Sequence, residues 1–189
     1  MSLLINVLSN NGDIGPKKGE TLTDTFEKKA ISIKEEYFVN VDVNPHGIAI
    51  KLDSKERDGQ LKDYKLNDVI ILLKSLLDSI FIEQVNQIQI QYENFETIDY
   101  GEFKDSNNYM TINENIKGVG KKIKYVDDNF EIDVILEPNY VNNIDHNKYS
   151  NYNLISRKHN FSSNKLEELI TNGINTIITL DFDLKREFK

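Results

Sequence analysis

The stretch from Leu66 to Ile82 constrains the fold most, because it is the densest apolar run in a polar chain. Val69, Ile70, Leu72, Leu73, Leu76, Leu77 and Ile80 recur on one broad face at helical spacing. Asn67, Lys74, Ser75 and Asp78 fall on the other. Asn67 suits an N-cap, and Leu66 with Ile71 would staple the first turn. So wide a stripe has to be covered, and the spacing predicts a core helix over 67–82 packed on a sheet. It does not predict a membrane span, since Lys74 and Asp78 interrupt the run well short of the roughly 20 apolar residues required.

The sheet itself is written in period-two segments. Tyr37, Val39, Val41 and Val43 recur at every second position and face one way, and Ile48, Ile50 and Leu52 continue the alternation after Asn44-Pro45-His46-Gly47. That arrangement is a hairpin signal, with Pro and Gly where a turn uses them. Gln87 to Tyr92 alternates glutamine with apolar residues. A second hairpin joins Ile123–Val126 to Phe130–Leu136 through Asp127-Asp128-Asn129, and Pro138 ends it. Leu3 to Leu8 reads as a short strand or a docking arm, and Thr97–Phe103 and Tyr109–Ile116 as further short strands. Two more helices are expected. One starts at Asp24, where Asp24 and Glu27 resemble a capping box and Phe26, Ala30, Ile33 and Tyr37 keep helical spacing. The other covers Ser163 to Ile170 and is closed by Gly173. Ile174 to Leu184 then alternates like a strand. The fold class expected is therefore α+β: one domain, 1–189, with a mainly antiparallel sheet of hairpins packed on one core helix and one or two further helices.

Composition narrows the function classes. The 31 Asp+Glu residues outnumber the 23 Lys+Arg, giving a formal charge of -8, which argues against nucleic acid and anionic membranes as partners. Lysines are interspersed throughout, so an unbroken acidic surface mimicking nucleic acid is not expected either. With no cysteine, disulfides, thiolate metal sites and cysteine nucleophiles are excluded. Leu3 to Leu8 is too short for a signal-peptide core, so the cytoplasm is the expected location.

Few constellations carry chemistry. Asp181-Phe182-Asp183 is the metal candidate: on a strand both carboxylates would share one face and could share a divalent ion. The plainer reading of the pair is the solvent side of an amphipathic strand. Glu102-Phe103-Lys104, with Asp99 nearby, has the residue types of a metal-dependent nuclease strand, but a polar turn follows where a helix should. Gly118 to Lys122 is a local basic patch without phosphate-loop spacing. His46 lies in the hairpin turn, and His146 and His159 have no serine with elbow glycines near them. No cofactor is implied.

The remaining candidate is the polar excursion 139–162, rich in Asn and Tyr and without a convincing period. Such composition suits contact surfaces, because tyrosine gives area at low entropy cost and asparagine gives donors and acceptors. Tyr140, Tyr149, Tyr152 and Arg157 are the expected partner-binding residues, and the expected partners are other protein chains. The function expected is a non-enzymatic structural or interaction subunit of a larger assembly, for instance a component of a virus-like or mobile-element particle. A small acidic inhibitor or immunity-type protein is the next reading. A metal-dependent hydrolase or nuclease using Asp181 and Asp183 is the enzymatic one.

Overall fold

The computed structural model describes residues 2–9, 14–16, 37–44, 46–55, 71, 80–82, 85–97, 121–138, 147–157, 161 and 165–187. Its strands are β1 (Ser2–Leu8), β2 (Ile14–Pro16), β3 (Tyr37–Asn44), β4 (Gly47–Ser54), β5 (Ile80–Ile82), β6 (Gln87–Thr97), β7 (Lys121–Val126), β8 (Phe130–Pro138) and β9 (Asn147–Ser156). Its helix is α1 (Leu166–Glu187). Seven strands form one sheet in the order β3-β4-β1-β6-β9-β8-β7, and β2 pairs with β5 separately. Every neighbouring pair is antiparallel.

Period two explains this sheet. Ile5 of β1 stands opposite Ile50 of β4 and Ile90 of β6. Leu154 of β9 stands between Ile90 and Ile132 of β8, and Tyr152 between Tyr92 and Val134. Since side chains alternate along each strand, the inward residues of all the strands meet on one face. There Ile5, Ile50, Ile90, Ile132, Val134, Tyr152 and Leu154 are all buried. Helix α1 covers that face over β6 and β9, through Leu166, Ile170, Ile174 and Ile177. Gly173 sits at the closest approach: a Cβ there would lie 2.8 Å from Ile90 Cδ1 and 3.4 Å from Leu154 Cδ1.

The α+β expectation is corrected: the protein is mainly β, a seven-stranded antiparallel sheet with a single C-terminal helix among its described elements. Of the expected core helix 67–82, Ile71 has helical backbone but is 55% exposed, and Ile80–Ile82 is strand β5. Its remaining residues lie outside the described set, as do those of the helix expected from Asp24, except Tyr37, which begins strand β3. So do Tyr109–Ile116, and all of Thr97–Phe103 except Thr97, which ends β6. The helix that packs on the sheet is instead α1, where a short helix and a strand were expected. Gly173 lies inside it, placed for the sheet's approach instead of as a cap. The strand expected over 174–184 is helical because Leu166, Ile170, Ile174 and Ile177 recur every three or four residues, and Leu184 returns to the same face two turns later. Packing on the sheet favours that period over the β-branched propensity of Ile and Thr. Within 139–162, residues 147–156 are strand β9, inserted between β6 and β8.

Candidate functional site

The opposite face of the sheet stays accessible to solvent. Phe38, Lys51, Lys122 and Lys124 are exposed on it, and Gln89, Gln91, Glu93, Phe95, Tyr149, Asn151 and Asn153 are half-buried. Register builds its centre. Phe95 of β6, Tyr149 of β9 and Glu137 of β8 stand in one row, and Glu93, Asn151 and Ile135 in the next. Three donors converge on one carboxylate oxygen, Glu93 Oε1: Gln91 Nε2 at 3.0 Å, Tyr149 Oη at 3.1 Å and Asn151 Nδ2 at 3.3 Å. Asn151 Nδ2 also donates to Tyr149 Oη at 3.0 Å. The Phe95 and Tyr149 rings lie 6.3 Å apart, tilted by 51°. Beside this cluster, Gln89 Nε2 reaches Asn153 Oδ1 at 3.4 Å.

Electrostatics distinguish this cluster from the rest of the face. Lys51 pairs with Asp53 at 2.9 Å, Lys122 with Asp133 at 3.5 Å, and Lys124 with Glu131. Burial pushes the Asp53 carboxyl up, but hydrogen bonds from Lys51 and Ser2 and the Lys51 charge outweigh it and hold Asp53 below its ordinary range. The Glu131 carboxylate bonded to Lys124 raises that lysine's pKa. Glu93 and Glu137 form no salt bridge among the described residues. The patch thus offers an oriented carboxylate, a second one in the next row and two aromatic rings between them. That chemistry suits a cationic or donor-rich group, since charge-assisted bonds and aromatic faces both favour cations.

The expected site residues are dispersed. Tyr149 belongs to the cluster. Tyr152 lies on the buried face, fully covered, and donates from Oη to Asp181 Oδ1 at 2.7 Å. Its ring is 5.9 Å from that of Tyr92. Arg157 is exposed and braces the β7–β8 turn, donating from Nη1 to the Asp127 carbonyl at 2.6 Å and from its backbone to Asn129 at 2.8 Å. Tyr140 lies outside the described residues, with His146, His159, Asp99 and the Glu102–Lys104 tripeptide. His46 is in the β3–β4 turn. Asp181 and Asp183 stand on α1, where two residues turn the helix by about 200°, so they do not share the face a strand would give them. Among the described residues no group of three His, Asp or Glu side chains could hold a metal ion.

A second concavity, about 420 Å³, opens between α1 and the β7–β8 turn. Asp127, Asn129, Asn172, Asn175, Thr176, Thr179 and Asp183 line it with Tyr125, Phe130 and Leu180. Three of its polar side chains are spent on nearby backbone. Asp127 Oδ1 accepts the amides of Asn129 and Phe130, both at 2.7 Å. Thr176 and Thr179 donate to the carbonyls of Asn172 and Asn175. Among the described residues, no helix is long and apolar enough to cross a membrane.

Sequence reasoning found Tyr149 by composition and missed Glu93, Phe95 and Glu137. Each is an ordinary residue in its own strand, and only the pairing of β6, β9 and β8 brings them together. No family model, curated protein or solved structure matches the chain.

Proposed function

We propose that the protein is a non-enzymatic interaction subunit of a larger protein assembly, and that it docks another chain on the accessible face of its sheet. The observation that carries this reading is the convergence of Gln91, Tyr149 and Asn151 on Glu93 Oε1. A carboxylate held in one position by three neighbours loses little freedom on binding, which is the advantage of a pre-organised contact. The Phe95–Tyr149 pair and Glu137 beside it supply area and a second acceptor. The docking group would be a lysine or arginine of the partner, in keeping with the acidic balance of the chain. A cysteine-free chain needs no oxidising compartment, and we place the assembly in the cytoplasm.

The test is comparative purification from the native host of the tagged protein and its Glu93→Gln/Tyr149→Ala variant. A partner should accompany the native chain in fixed ratio and be lost from the variant, while both melt at similar temperatures. Co-purification that survives both substitutions would remove the accessible face from the proposal.

A further inference from the structure

The concavity between α1 and the β7–β8 turn has two walls of different build that share one chemical bias. Its helix wall is a polar stripe. Asn172, Thr176, Thr179 and Asp183 follow one another at steps of three or four residues, with Asn175 four before Thr179, so all share one flank of α1. At the rise of an α-helix that stripe is about 16 Å long. The other wall is the turn, which is tied down from several sides. Asp127 donates its amide to the Phe130 carbonyl at 3.0 Å, its Oδ1 accepts the amides of Asn129 and Phe130, and Arg157 bonds to the carbonyls of Asp127 and Asn129. A ligand entering here finds both walls in place and is spared most of the cost of ordering them. The internal bonds also use up donors and leave acceptors. Thr176 and Thr179 give their hydroxyl hydrogens to α1 carbonyls at 2.8 and 2.9 Å and keep their oxygen lone pairs. Both amides held by Asp127 end on Oδ1, and among the described residues Oδ2 accepts none. Asp183 is exposed and among the described residues has neither a hydrogen bond nor an ion pair on its side chain. Among the described residues no lysine or arginine lines the space, so an anion finds no counter-charge there.

We propose that this concavity binds a small aliphatic polyamine, with one ammonium group at Asp127 on the turn and another at Asp183 on the helix. Ammonium groups carry donors and no acceptor, which matches the surplus of acceptors on both walls. The carboxamides of Asn129, Asn172 and Asn175 add oxygens to the same set. The methylene chain between the ammonium groups lies against Leu180 and the half-buried Tyr125, whose ring also favours a neighbouring cation. A neutral polyol would leave both carboxylates without a counter-charge. The volume, about 420 Å³, suits a small molecule, and the length of the helix stripe suits an elongated one.

Isothermal titration calorimetry of the full chain with spermidine at physiological salt tests this. One spermidine should bind per chain. Butylamine, with a single ammonium group, should bind about tenfold more weakly, and so should spermidine to Asp183→Asn. Asp183 is exposed, so its variant should melt with the native chain. The chain carries a formal charge of -8, and loose attraction of any polyamine to an acidic surface is the competing outcome. Glu168→Gln separates the two, because Glu168 is exposed in the first turn of the same helix and outside the concavity. It should leave the affinity for spermidine unchanged. Absence of binding, butylamine or sorbitol binding as tightly as spermidine, or equal losses in Asp183→Asn and Glu168→Gln would overturn the proposal. Glu93→Gln/Tyr149→Ala should bind spermidine as the native chain does, so this concavity and the docking face stand or fall separately.

Discussion

Tyr152 joins the two layers of the molecule with one hydroxyl. Its ring is buried under α1, and its Oη reaches Asp181 Oδ1 at 2.7 Å. Tyr152→Phe keeps the ring and removes the bond, so it should cost about 1.5–3 kcal/mol, the usual range for a bond to a charged acceptor. Urea unfolding checks this, with an unchanged midpoint as the contrary result. Ser9 is the opposite case: it is 2% exposed and its Oγ has no hydrogen-bond partner among the described residues. An unsatisfied buried hydroxyl is costly, so Ser9→Ala should leave stability equal or raise it by about 1 kcal/mol. Asp53 should titrate below its ordinary 3.8. A lowered folded pKa contributes stability above the unfolded value and loses it as pH falls through the folded one. Because Asp53 is partly exposed, the effect should stay under about 1 kcal/mol, and carboxyl NMR is the better readout. Lys51→Met should move the Asp53 midpoint upward; a midpoint that stays put would deny the lysine its part.

Among elements, α1 and β9 show why part of the fold was hidden in the sequence. β3, β4, the Gln87–Tyr92 part of β6 and the β7–β8 hairpin are legible because their buried inward positions are apolar, as in Ile48, Ile50 and Leu52 or Ile88, Ile90 and Tyr92. β9 turns Ser150, Tyr152, Leu154 and Ser156 inward, half of them polar, so its alternation is masked by composition. Partners elsewhere make this tolerable: Ser156 Oγ accepts the Ile88 amide at 3.0 Å. In α1 both periods coexist, since Ile178, Leu180, Phe182 and Leu184 alternate while Ile170, Ile174 and Ile177 keep helical spacing. Only a sheet face waiting to be covered decides between them. Gly173 tests that packing. Alanine at an open helix position would add about 1 kcal/mol of propensity. Here its Cβ would press on fully buried Ile90 and on Leu154, where overpacking costs about 1–3 kcal/mol. Gly173→Ala should therefore lower the melting temperature, and a rise would mean that α1 stands farther from β6 than described.

At the scale of the whole molecule, the topology joins distant parts of the chain. Strand β1, first in sequence, lies between β4 and β6, and Ser2 pairs with Glu93. β9 enters between β6 and β8, so that Gln89 pairs with Ile155. The Glu93 cluster forms only when β6 and β9 meet, hence the candidate site depends on the least local part of the fold. Ordering such pairs requires closing long loops before the contacts return any stability, and antiparallel sheets of this kind fold in about milliseconds to seconds. Stopped-flow refolding should fall in that range. The β7–β8 hairpin is local, with Asp127 Oδ1 capping its turn by two amides, and should form ahead of the central strands. If so, Val134→Ala should slow folding more, relative to its equilibrium cost, than Ile5→Val on β1, which should act mainly by speeding unfolding. Equal fractions for the two substitutions, or refolding within microseconds, would place the rate-limiting step elsewhere than in bringing β1 and β9 into the sheet.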